Sequence, residues 1–365
     1  MTPRVACGLH ATRGVIAESQ MRLLLFSIAF LFAATLAHAQ NGKAIAALAD
    51  DAACQTSKIA AAGGPMPKGQ NTVVLRYLGV SNYELSYRDQ VLLFDTFYSR
   101  VWPARPLGVM PQDFKRATAV LFGHGHWDHI ADAPEVAKQT NAKMYGAPPT
   151  TEWLKMQGVP ESQLVTWKGG ETQKFNGFTV QAIHAHHAGG RPEPVNKMMT
   201  LYQQLVPDWY GRPLTEDEKA AHQRLQRRGA GGPRIDSEGT LTYLITFDNG
   251  FRIAYTDTAG AITDEQRAAF ANIPRTDVGI IAYTGRFNTT SQNKESMPMV
   301  ETFKPRVVLP SHHEDETGIG AHYDMPIYPL GMAVREKFPD AQTVDPLYLS
   351  PICFDTASKA VFAGR

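Results

Sequence analysis

The 365-residue sequence has no excess of charge: 36 basic residues stand against 35 acidic, a net charge of +1. A general nucleic-acid binder carries a basic excess, so that class is set aside. There is no internal repeat, low-complexity tract or collagen-like period, which excludes solenoid and fibrous architectures. There is no apolar run of the roughly 20 residues that a stable membrane span needs. Cysteine is scarce, with Cys7, Cys54 and Cys353 the only three.

The one long apolar run lies near the start. Met21-Arg22 precedes fifteen uncharged residues, LLLFSIAFLFAATLA, whose last residue opens Ala37-His38-Ala39. A basic start, a short apolar stretch and a small-residue end read as a secretory signal peptide over residues 1–39, cut before Gln40. A membrane anchor or a buried helix is the alternative. Residues 1–20 are unlike the start of such a peptide, so Met21 is the expected first residue of the translated chain. Export implies a periplasmic or secreted protein. The mature chain then carries 33 basic and 34 acidic residues and two cysteines. In an oxidising compartment Cys54 and Cys353 either pair or remain as two buried thiols.

Residues 40–70 are rich in Ala, Gly and Pro and read as a short helix and a linker. From residue 71 to 365 the pattern is that of one α/β unit. Short β-rich runs come first, with a hairpin turn at Asp89-Gln90. Strands and helices then alternate, with further turns at Asn176-Gly177 and Asn249-Gly250. Residues 191–239 are polar, contain the helical stretch TEDEKAAHQRLQRR, and read as an insertion over the core.

The segment VLFGHGHWDHIAD, residues 120–132, places His124, His126, Asp128 and His129 within six positions after a buried strand. A helical surface would not bring them to one face, but a tight loop can. Imidazole and carboxylate are suitable ligands for zinc-type ions. Three later strand ends supply more such groups: His184, His186 and His187 in AIHAHHAGG, Asp257 in IAYTDTAG, and His312 and His313 in VVLPSHHED. Each alone reads as a turn cap or a solvated side chain. Their recurrence after apolar strands favours a site.

This order of motifs resembles the metallo-β-lactamase fold superfamily over about residues 71–355. The opening YLGVSNYELSYRDQVLLFDTFYS, with Asp95, is similar to its branch of ascorbate lactonases and N-acyl-phosphatidylethanolamine phospholipases D. The resemblance implies an αββα four-layer sandwich and two divalent metal ions, zinc being expected and manganese or iron the alternatives. His124, His126 and His187 would hold one ion, with His186 as the alternative third ligand. Asp128, His129 and His312 would hold the other, and Asp257 would bridge them. Thr256 and Thr96 stand where that branch usually has Gly and Pro, which weakens any transfer of substrate.

Such a centre activates water, with Asp128 and Asp257 as catalytic carboxylates that orient it or take its proton. The expected reaction is hydrolysis of an ester, lactone or phosphodiester in a small molecule, with β-lactam amide hydrolysis as the alternative. A non-catalytic metal-binding protein would lack ligands that are present here. A di-iron redox centre on this fold would need a flavin module and an extra acidic ligand. Tyr202, Trp209, Tyr210, Arg100, Arg105 and Arg191 are candidates for the pocket wall, although a solvated surface residue is the favoured reading of each arginine. A homo-oligomer is compatible with the sequence.

Overall fold

The structure is a computed structural model that describes residues 41–189, 214–232, 234–283, 289–314 and 326–364. Its strands are β1 (Thr72–Tyr77), β2 (Tyr83–Tyr87), β3 (Gln90–Phe94), β4 (Ala119–Leu121), β5 (Lys143–Gly146), β6 (Leu164–Thr166), β7 (Thr172–Phe175) and β8 (Phe178–Ala185). They continue as β9 (Thr240–Phe247), β10 (Arg252–Tyr255), β11 (Thr276–Ala282), β12 (Pro305–Ser311), β13 (Gln342–Thr343), β14 (Pro351–Asp355) and β15 (Val361–Ala363). One sheet runs β15-β14-β1-β2-β3-β4-β5-β6 and the other β13-β12-β11-β10-β9-β8-β7.

Period-2 alternation makes these sheets two-sided. Val73 and Leu75 of β1, Leu92 and Phe94 of β3 and Leu121 of β4 face Tyr243 and Ile245 of β9, Ile280 of β11 and Leu309 of β12 in one core between the sheets. Their neighbours point outward. Val91, Leu93 and Val120 pack under Val136 of the helix Ala133–Thr140 and Leu154 of the helix Pro148–Met156. Leu244, Ile281 and Val308 pack under the helices Asp264–Ala271, Thr289–Phe303 and Tyr328–Lys337. The layers are therefore αββα, as the resemblance implied.

The turn between β2 and β3 is Arg88-Asp89, one residue earlier than expected. Gln90 already pairs with Tyr87, and Arg88 takes the left-handed backbone (φ 54°) that closes the hairpin. Segment 40–70 holds a helix at 41–49, and beyond it the chain is pinned to the outer face of the first sheet. Arg76 and Glu84, both fully buried, form an ion pair at 3.1 Å. Arg76 Nη2 donates to Ala53 O at 2.5 Å, and the Glu84 carboxylate accepts from Ala60 N and Ala61 N at 2.9 and 2.6 Å. Cys54 and Cys353 are disulfide-bonded, with their Cα atoms 6.0 Å apart. Ala53, Cys54, Ile59, Ala60 and Ala61 are buried accordingly.

Strand direction decides where a site can form. β3 and β4 run parallel, as do β10, β11 and β12. β8 and β10 both run antiparallel to β9, so they point the same way. Side chains that follow β3, β4, β8, β10 and β12 are thereby delivered to carboxyl ends of strands, where open α/β sheets leave room for a site.

Candidate metal centre

β4 ends at Leu121 and the chain turns through Gly123 into His124. A Cβ at position 123 would lie 2.0 Å from Asp257 Cγ, so only glycine lets these two loops meet. After His126 the chain makes one helical turn, Trp127–Ile130, which carries Asp128 and His129. The cluster is thus half loop and half helical turn rather than the single tight loop that the spacing suggested.

The seven residues that the sequence singled out converge. His124, His126 and His187 form one group, His124, His129 and Asp257 a second, and Asp128, His129 and His312 a third, the donor atoms of each lying within 4.8 Å of one another. Asp257 Oδ2 is 2.7 Å from His124 Nδ1 and 3.4 Å from His129 Nδ1, so it reaches both halves. Asp128 Oδ2 is 3.5 Å from His129 Nε2 and 3.2 Å from His312 Nε2. The His187 ring lies 4.6 Å from both His124 and His126. His186 is exposed and its ring faces His184 instead. His313 stacks on Tyr77 at 5.1 Å, away from this set.

The electrostatics suit a cation. Burial and the neighbouring imidazoles hold His124 well below the ordinary imidazole range. The same causes bring His187 down to about 3, so both rings are neutral and can donate lone pairs. Burial opposes charge on His129, but Asp128, Asp95 and Asp257 outweigh it and push it up to about 10. Burial would also raise Asp128, yet His129 and His312 hold it well below the carboxylate range. Three carboxylates therefore demand positive charge at one place. His129 Nε2 and Asp257 Oδ1 are buried and have no hydrogen-bond partner, as atoms reserved for a metal would be. The donor set fits one or more divalent ions.

Some residues that contact the cluster escaped the sequence reading. Asp95, named there but given no role, sits with Oδ2 2.7 Å from His129 Nδ1 and accepts from Gly123 N at 3.1 Å. Tyr255 Oη donates to the same Oδ2 at 2.7 Å. Burial and the nearby Asp257 raise Asp95 to about 7, against His129. Asp132 accepts from Tyr98 N and Ser99 N, each at 2.7 Å, and so shapes the loop after Asp95. A carboxylate three residues past the His cluster was the visible signal for it.

Of the pocket-wall candidates, Arg191, Tyr202, Trp209 and Tyr210 lie outside the described residues. Arg100 is not a solvated arginine: its side chain is buried and paired with Glu314. Arg105 is exposed, with its guanidinium 5.9 Å from the Tyr348 ring. The described end of the 191–239 segment leans on the candidate centre. Its helix Glu216–Gln226 is opened by a Thr215–Glu218 capping box. Beyond that helix, Arg228 donates to Ala131 O at 2.6 Å, and Ala230 N donates to Gly125 O at 2.7 Å.

Comparison with known proteins agrees with this geometry. Residues 90–222 match the beta-lactamase superfamily domain. Over that segment the chain is similar to the metallo-β-lactamase superfamily. It is 32% identical over 119 residues to a UPF0173 metal-dependent hydrolase of Methylacidiphilum infernorum, covering 33% of this chain and 50% of that one. It is 24% identical over 264 residues to a UPF0173 metal-dependent hydrolase of Polaromonas sp., covering 72% and 84%. The chain spans about half the length of the first curated relatives it matches. Among solved structures it is similar to Igni18, a metallo hydrolase from Ignicoccus hospitalis, with a TM-score of 0.52, 16% identity, and coverage of 78% of this chain and 98% of that one. That likeness shows the fold alone.

Proposed function

We propose that this protein is a member of the metallo-β-lactamase superfamily and an exported metal-dependent hydrolase with a binuclear centre, zinc being the proposed metal and manganese or iron the alternatives. The observation that carries the reading is the overlap of the three donor groups: His124 and His129 each belong to two of them. His124, His126 and His187 would hold one ion, Asp128, His129 and His312 the other, and Asp257 would bridge them.

Two bound divalent cations supply Lewis-acid polarisation of the substrate and lower the pKa of water. The chain's own residues do the rest. Asp95 fixes the His129 ring through Nδ1 and leaves Nε2 for the centre. Asp257 is fully buried, whereas the Asp128 side chain keeps 11% of its surface open. Asp128 is therefore the carboxylate that solvent reaches, and it takes the proton of the attacking water, while Asp257 orients that water.

The bond attacked is an ester, lactone or phosphodiester of a small molecule. A screen of zinc-loaded protein against lactone, phosphodiester and β-lactam substrates, with metal content measured on the same sample, tests the reading. Turnover that chelation abolishes supports it. Full activity in metal-free protein refutes it, and turnover of β-lactams alone moves the substrate to the amide class.

Export rests on residues 21–39 and is supported by the Cys54–Cys353 disulfide, a bond favoured in oxidising compartments. N-terminal sequencing of the extracytoplasmic protein should begin at Gln40. Among the described residues no helix is long and apolar enough to cross a membrane.

A further inference from the structure

We infer that Glu314 is a positioning residue for His312, acting through the backbone of Val80; the inference rests on the metal-centre reading above. Val80 is β-branched and fully buried, yet its backbone is left-handed, with φ 49°. Such a conformation is a strained outlier for valine and persists only where its surroundings over-determine it. Two residues of one loop do so here. Glu314 Oε1 accepts from Val80 N at 2.6 Å, and Val80 O accepts from His312 N at 2.5 Å. His312 is itself left-handed, with φ 56°, and its Nε2 lies 3.2 Å from Asp128 Oδ2.

The peptide of Val80 thus receives one hydrogen bond from the chain at 312 and gives one to the side chain at 314. Both ends of the clasp lie in the loop that carries His312. Arg100 holds the glutamate in place. Its Nη2 donates to Glu314 Oε1, and its guanidinium lies 5.2 Å from the Phe97 ring, which in turn packs against Trp127 of the metal loop. Gly79 makes room: a Cβ there would lie 2.6 Å from Arg100 Nη2 and 2.8 Å from Glu314 Oε1.

Removing the carboxylate leaves the buried Val80 N–H unpaired and releases a strained backbone next to His312. The consequence falls on the ion held by Asp128, His129 and His312, not on the one held by His124, His126 and His187.

Zinc binding to metal-stripped protein, followed by competition with a chromophoric chelator, measures this without any substrate. Wild type should bind two ions. Glu314→Ala should keep one ion at wild-type affinity and bind the second about 10–100-fold more weakly, the usual effect of losing an outer-shell partner. Glu314→Gln, which keeps an oxygen for the Val80 N–H, should stay within a few-fold of wild type. Val80→Gly in the Glu314→Ala background should recover much of the lost affinity, because glycine adopts this backbone without strain.

If Glu314→Ala does not fold, Arg100→Lys carries the test and should weaken the second ion alone. A Glu314→Ala or Arg100→Lys protein that binds both ions as wild type does overturns the inference and leaves the proposed centre standing. A wild-type protein that binds no ion overturns both.

Discussion

Asp95 Oδ2 lies 2.7 Å from His129 Nδ1, and the pair joins the end of β3 to the helical turn after β4 at the candidate metal centre. The contact fixes which face of the imidazole is presented to a cation. Asp95→Ala should therefore weaken metal binding by about 10–100-fold while leaving the far-ultraviolet circular dichroism unchanged. Isothermal titration with zinc reads the first effect. An affinity equal to that of wild type would show that His129 needs no such partner.

His126→Ala removes a donor from the most solvent-accessible of the three groups, in which His126 and His187 are only half-buried. Activity should fall by at least about 100-fold, and zinc measured by elemental analysis should drop by one ion per chain. Retention of both ions would remove His126 from the centre.

The adjacent histidines should respond oppositely. His187 packs against His124 and His126, whereas His186 is exposed beside His184. His187→Ala should lose an ion and His186→Ala should keep both. Elemental analysis of the two variants, purified side by side, reads the difference, and the reverse pattern would exchange their roles.

Arg76→Met strands the Glu84 carboxylate in a site with no exposure. Burial already pushes that group up from its ordinary range, against the pull of Arg76. The expected loss is about 3–5 kcal/mol of stability, measured by urea unfolding. Adding Glu84→Leu should recover only part of it, because Ala60 N and Ala61 N also lose their acceptor.

Replacing Cys54 and Cys353 together by serine opens a loop of sequence separation 299. The unfolding free energy should fall by about 2–5 kcal/mol. Thiol titration of unreduced, denatured wild-type mature protein should find no free thiol. Two per chain would mean that the bond does not form in solution.

Much of the centre was legible because His124, His126, Asp128 and His129 are neighbours in the chain. Residue type and spacing alone carry chemistry there. Asp257 and His312 were legible only by the order of motifs, since a lone strand-end Asp or His has an ordinary structural reading. The partners Tyr255 and Glu314 were not legible. Tyr255 is 160 positions from Asp95, and Glu314 is 234 from Val80, so nothing local links them. Val80 is a further case, because a β-branched residue ordinarily argues against the left-handed backbone that it adopts.

The Ala-, Gly- and Pro-rich segment at 40–70 gave no sign of its anchorage for a different reason. What holds it is Arg76 and Glu84, two charges inside strands that otherwise read as plain β-structure. Periodicity places such residues on a face but does not say what covers that face. The sandwich was easier, because alternation in β1, β3, β4, β9, β11 and β12 separates an inner from an outer set along each strand.

The Cys54–Cys353 bond makes almost all of the described chain a covalent ring. A protease that cuts once anywhere between these two cysteines changes the connectivity but releases no fragment. A nicked molecule therefore keeps all of its candidate metal ligands on one covalently joined molecule until a reductant is added, and only then does it separate into two pieces on a denaturing gel.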